Sequence, residues 1–126
     1  MSMSPDSASL GTPMLAARFA QARAQVVAQL QPLGQARLLQ IKTPLSQAPT
    51  VEPDNKTSFK LEQLYRLLKC DLVSVVHLDD ALPGHILICD EDVLASSEAV
   101  CNLVASLLAG HPIYGDVLLC RDEQFQ

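Results

Sequence analysis

Two runs, HILICD at 85–90 and VLLC at 117–120, are apolar at nearly every successive position. A strand points successive side chains to opposite faces, so a run of this kind needs cover on both. An antiparallel sheet with one helical layer would show alternating wet positions, and these are scarce here. The chain is therefore expected to be α+β, with a mainly antiparallel four-stranded sheet and about three helices packed on it. Strands are expected near 36–42, 72–78, 85–90 and 113–120, and helices near 14–31, 60–69 and 97–109. The second sheet face falls to the N-terminal helix or to another subunit.

The 126 residues suit one domain, and a chain of that size buries roughly two-thirds of its unfolded surface without a disulfide or metal. Aromatic residues make up 4% and tryptophan is absent, so the core must be built from Leu, Val, Ile and Ala. Residues 1–13, rich in Ser, Pro and Gly, read as a disordered leader. Residues 14–34 read as an N-terminal amphipathic helix and 35–126 as the compact α+β domain.

In that helix Leu15, Phe19, Ala22, Val26 and Leu30 recur at three- and four-residue steps and form one apolar stripe, which Pro32 and Gly34 end. Prolines at 44, 49 and 53 exclude a central strand between them. Pro53-Asp54-Asn55-Lys56 is a turn, because proline presets φ and Asx side chains bond nearby backbone. Short strands near 49–52 and 57–59 would make a small edge hairpin around it. Leu61, Leu64, Tyr65 and Leu68 fall on one helix face. LVSVVHL (72–78) and HILICD, separated by DDALPG, read as an antiparallel pair.

Further on, Ser96 or Ser97 can cap a helix with Glu98 near its positive end. Val100, Leu103, Val104, Leu107 and Leu108 form its expected buried stripe. Gly110 supplies a left-handed end and Pro112 forbids continuation. Gly115-Asp116 then suggests a bulge or a close backbone approach before the last strand.

Several kinds of chemistry are disfavoured. Net charge is −5, the nine basic residues are dispersed and aromatics are few, which argues against a nucleic-acid groove with stacking platforms. No apolar run reaches the roughly 20 residues that span a bilayer, and MSMSPDSASLGTP lacks the features of a secretory signal. A cytoplasmic protein is expected. In that reducing setting Cys70, Cys89, Cys101 and Cys120, which form no C-x-x-C, read as core thiols.

No metal or cofactor is expected. His85 and Cys89 share a strand face, but at about 3.3 Å per residue their side chains lie too far apart for one ion. An EF-hand loop begun at Asp90 would place Ala95 and Cys101 where Gly and Glu are required. Asp79, Asp80, Asp90, Glu91 and Asp92 instead read as an acidic rim. Cys70 precedes Asp71 at a helix's negative end, which raises a thiol pKa. Phosphate-binding glycine loops and G-x-S-x-G are absent, so catalysis has no handle.

LEQLYRLLK followed by LVSVVHL, ILICDED, Asn102-x-x-Ala105 and PIYGDVLLC resembles the domain of unknown function 3846 family of phages, plasmids and bacteria, over residues about 36–120. Lys69-Cys70 replaces a Gly-Gly pair of that family, and Asp90-Glu91-Asp92-Val93 replaces its Asn-Glu-Glu-Gly turn. The resemblance implies a compact α+β domain carried by mobile elements. Glu91, Asn102, Tyr114 and Asp116, polar positions of the matching segments, are the candidate binding residues. The expected function is a small non-catalytic binding or regulatory protein that acts on a host protein or small ligand. The alternative is a small enzyme or nucleotide-ligand sequestering protein with a site formed between subunits. A homodimer is expected because nearly half the residues, 48%, are hydrophobic.

Overall fold

The computed structural model describes residues 5–31, 34–93 and 99–125. Three helices, α1 (Pro5–Leu30), α2 (Leu61–Leu68) and α3 (Leu103–Ala109), pack on a sheet of five strands. The strands are β1 (Ala36–Leu39), β2 (Thr50–Val51), β3 (Val73–His77), β4 (His85–Asp90) and β5 (Val117–Arg121). Their spatial order is β2-β1-β5-β4-β3, and every neighbouring pair is antiparallel.

Both faces of the central strands are buried. Leu39, Leu87, Cys89, Val117 and Leu119 point one way, onto Val26 and Leu30 of α1 and Ala105 and Leu108 of α3. Ala36, Leu38, Ile86, Ile88, Leu118 and Cys120 point the other way, onto Phe59 and onto Leu64 and Leu68 of α2. The alternation follows from the strand repeat of two. Cover for the second face is thus supplied within the chain by α1 together with α3. The β3–β4 pair forms as expected, with Val73 opposite Asp90 and His77 opposite Ile86.

Several boundaries differ from the sequence expectation. A fifth strand, β2, lies between the prolines at 49 and 53, but it pairs with β1 (Ala36 with Val51, Arg37 with Thr50) rather than with 57–59. Phe59 instead bridges Phe125. The expected turn does form: the Lys56 N–H donates to the Pro53 carbonyl at 3.0 Å, and Asn55 Oδ1 accepts from the Thr57 and Ser58 N–H groups, each at 2.9 Å. Helix α1 starts at Pro5, so residues 5–13, read as leader, are helical. Extending a helix already nucleated downstream costs less than starting one, and Gly11 and Pro13 do not stop it. Pro32, its expected stop, lies outside the described residues, and so do Ser96, Ser97 and Glu98.

The last helix is seven residues long, capped by Asn102. Residues ahead of it are extended, with Cys101 bridging Tyr114. That later start rotates the buried stripe. Ala105 and Leu108 are fully buried, whereas Val100 and Leu103 are 51% and 70% exposed. The α1 stripe also splits: Val26 and Leu30 are buried, while Leu15 and Phe19 stand out at 67% and 39%.

Candidate functional site

Of the four candidate binding residues, two hold the framework together. Asn102 is buried, and its carboxamide has three protein partners. Oδ1 accepts the Ala105 N–H at 3.1 Å, capping α3, while Nδ2 donates to the Gly115 carbonyl at 2.8 Å and the Leu39 carbonyl at 3.0 Å. One side chain therefore ties the start of α3 to the end of β1 and the approach to β5. Ser106 completes the knot: its hydroxyl donates to the Asn102 carbonyl at 2.7 Å and accepts from the Ile113 N–H at 2.8 Å. Asp116 Oδ1 accepts the Ile41 N–H at 2.9 Å just past β1. These bonds account for Asn102-x-x-Ala105-Ser106 and Gly115-Asp116 as folding signals.

Glu91 and Tyr114 come together elsewhere. They line a cleft of about 200 Å³ beside β3, with Ser74, Val76, Asp90 and His111. Neither Asn102 nor Asp116 reaches it. Gly115, at φ +78°, sets the adjacent turn, and a Cβ there would come within 3.1 Å of Val93 Cγ2. The positive φ therefore favours glycine, and the near neighbour is a side chain rather than the backbone expected at Gly115-Asp116.

No family model, curated protein or solved structure matches the chain. Function must be read from the chemistry of the surface itself.

Three of the four thiols are raised in pKa, which lowers their reactivity. Burial pushes Cys89 up to about 11, and burial followed by the Asp122 charge pushes Cys120 up to about 12. Cys70 is also raised, first by burial and then by the charges of Asp90 and Asp71. His77 and His85 both lie at the far end of the β3–β4 hairpin from Cys70. Cys101 departs from the core-thiol expectation: it is exposed, at the border of α3. All four cysteines are free. Among the described residues no group of three or more His, Cys, Asp or Glu could hold a metal ion, and no helix is long and apolar enough to cross a membrane.

Sequence reasoning missed the two surface hollows on the α1 side. The first, of about 360 Å³, runs between α1 and α3 and is lined by Phe19, Leu103, Leu107, Gly110 and Pro112. The second, of about 430 Å³, lies between α1 and the β3–β4 connector and contains Arg23, Gln31 and Asp80. Arg23 reaches across to α3, where Nη2 donates to the Leu108 carbonyl at 3.1 Å. The signal available for the first hollow was Leu15 and Phe19, apolar residues that continue the stripe beyond what one short helix can cover.

Proposed function

We propose that this chain is a small non-catalytic binding or regulatory protein that engages a host protein through the groove between α1 and α3, in a phage or other mobile element. One observation carries the reading. The apolar stripe of α1 is buried at Val26 and Leu30 and then continues into solvent as Leu15 and Phe19, of which Phe19 lines the groove with an exposed Leu103. Scattered apolar residues are ordinary on a surface, but a stripe that runs into an apolar groove is how protein contact sites are made. The raised pKa of Cys70, Cys89 and Cys120 and the structural use of Asn102 and Asp116 support the non-catalytic reading.

Tagged protein, captured from host extract and sized by light scattering, tests this. The expected result is retention of one partner, which Leu103→Lys and Phe19→Lys both release while melting stays within about 0.5 kcal/mol of wild type. Loss of a dimer with the same substitutions would assign the groove to a second copy and support the homodimer instead. Retention of all partners by both variants would overturn the reading.

A further inference from the structure

We infer that the outer edge of β3, unpaired among the described residues, is a strand-addition site for an extended, β-branched segment of a partner protein flanked by lysine or arginine. This goes beyond the α1–α3 groove and uses a different surface. β3 is the last strand of the sheet, and its five residues read VSVVH, with no proline, lysine or arginine. Natural edges are blunted by short length, proline or charge because their unpaired N–H and C=O groups recruit other strands. The opposite edge is blunted in this way: β2 has two residues, bounded by Pro49 and Pro53. β3 is not.

Register fixes which groups are on offer. The Leu78 N–H donates to the His85 carbonyl at 3.1 Å and the Glu91 N–H to the Leu72 carbonyl at 3.0 Å. Antiparallel pairing alternates, so residues 72, 74, 76 and 78 turn their backbone groups toward β4. Val73, Val75 and His77 turn theirs outward, and among the described residues none has a backbone partner there. The outward groups recur at every second residue, the repeat an added strand would present.

Charge selects the occupant. Asp71 precedes β3, Asp79 and Asp80 follow it, and Asp90, Glu91 and Asp92 end the strand beside it; no lysine or arginine occurs between Lys69 and Arg121. A second copy fits poorly, because the antiparallel register that pairs all of β3 with itself centres on Val75 and sets Asp71 against Asp79. Like charges placed opposite each other disfavour pairing. A segment with basic residues at both ends meets carboxylates at both ends. The 200 Å³ cleft lies on the sheet face at β3 and β4, bordered by Ser74, Val76 and Cys89 and carrying Asp90 and Glu91. It is smaller than the roughly 300 Å³ lower bound of small-molecule sites, which suits one basic side chain of an added strand.

The test uses the full chain and a panel of nine-residue peptides of the pattern Lys-Lys-x-Val-x-Val-x-Lys-Lys, with x threonine, valine or arginine. Binding is read by fluorescence anisotropy and by amide exchange of the protein. At least one peptide should bind and slow exchange at the outward Val73, Val75 and His77 amides, which should exchange quickly in the free protein. Glutamate in place of the lysines, or N-methylation of alternate peptide groups, should each weaken binding by about tenfold or more. Raising salt to about 1 M, where the screening length is near 3 Å, should weaken it further. Val75→Pro removes an outward N–H that β4 does not use and should abolish binding. Leu103→Lys, the variant that tests the α1–α3 groove, should leave it unchanged, so the two readings fail separately. Absence of binding across the panel, equal binding of the glutamate or N-methylated peptides, or slow exchange of the three amides without peptide would each overturn the proposal. Dimerisation lost in Val75→Pro would overturn it in favour of self-pairing.

Discussion

The two faces of the sheet are covered by different means. On one, α2 lies close along Ile86, Ile88, Leu118 and Cys120, and Phe59 and Phe125 complete the layer. On the other, a seven-residue α3 and the last turns of a 26-residue α1 share the work, and α1 runs on past the sheet with Leu15 and Phe19 uncovered. An eight-residue helix flanked by loops from the same half of the chain can be matched to its face. A helix recruited from the chain's beginning covers what it reaches and leaves a surplus. The closed face therefore serves stability, and the surplus on the other face is where contact with other molecules is available.

If the faces are equally well packed where they are covered, neighbouring residues of β5 should respond alike. Leu118 faces α2 and Leu119 faces α1 and α3, and both are fully buried. Leu118→Ala and Leu119→Ala should each cost about 3–5 kcal/mol by chemical denaturation. A Leu119→Ala cost below about 2 kcal/mol would show that the α1–α3 side is loosely packed even at its centre, and the contrast would then be one of packing rather than reach.

Each face also has one buried amide. Asn102→Ala removes the α3 cap and leaves the Leu39 and Gly115 carbonyls without that donor, a loss of about 3 kcal/mol. On the α2 side Gln63 Nε2 donates to the Glu52 carbonyl at 2.8 Å and Oε1 accepts from the Asp54 N–H at 2.9 Å, pinning the 53–56 turn. Gln63→Ala should cost about 1–2 kcal/mol, because water can replace those bonds near the surface. Equal losses in urea melts would mean that the Asn102 knot is no more central than a turn staple.

These comparisons show what the sequence made legible. Apolar runs such as HILIC and VLLC report two-sided burial directly, because the strand repeat is local. The β3–β4 pair, the 53–56 turn and the left-handed Gly110 were legible for the same reason: each depends on a few adjacent residues. The start of α3 was not, since the Cys101–Tyr114 bridge that holds residues ahead of it extended is made with a segment beyond the helix. An asparagine directly before Leu103-Val104 is a capping signal that the sequence reading, with its cap at Ser96 or Ser97, did not use. β2 was assigned the wrong partner because two residues between prolines carry no periodicity. For the candidate site, Glu91 and Tyr114 line one cleft from segments far apart in the chain, and chain spacing does not encode that.

The buried thiols sharpen the comparison by pH. Cys89 belongs to the α1–α3 side and Cys120 to the α2 side, raised from 9.0 to about 11 and about 12. Well below pH 9 both thiols are neutral in folded and unfolded chains and contribute no slope. Above it the unfolded chain releases protons that the folded chain keeps, so stability falls as pH rises to about 11, and from there to about 12 through Cys120 alone. Each thiol can contribute at most about 1.4 kcal/mol per pH unit. Melting in reductant between pH 8 and 11 should show this decline, and Cys89→Val and Cys120→Val should each flatten it. An unchanged slope in the double variant would mean that neither face excludes water from its sulfur.

The smallest effects come from the two helix ends, and there the faces should differ in sign. Both α2 and α3 stop at a left-handed residue whose N–H returns to the helix, Lys69 to Tyr65 and Gly110 to Ser106. Gly110 sits at φ +82° with open space around its Cα, so Gly110→Val meets no neighbour and its cost is conformational, about 1–2 kcal/mol. Lys69 holds φ +53° with a side chain that disfavours it. Lys69→Gly should therefore stabilise the chain by up to about 1 kcal/mol, the relief of the left-handed penalty less the entropy a glycine adds to the unfolded state. Lys69 is exposed and has no hydrogen bond or ion pair through its ammonium among the described residues, so little else changes on substitution. Thermal melts of the two variants side by side decide the matter. A rise for Lys69→Gly with a fall for Gly110→Val places both helix ends where they are described, whereas a fall for Lys69→Gly would mean that α2 continues through residue 69 and closes its face by another turn.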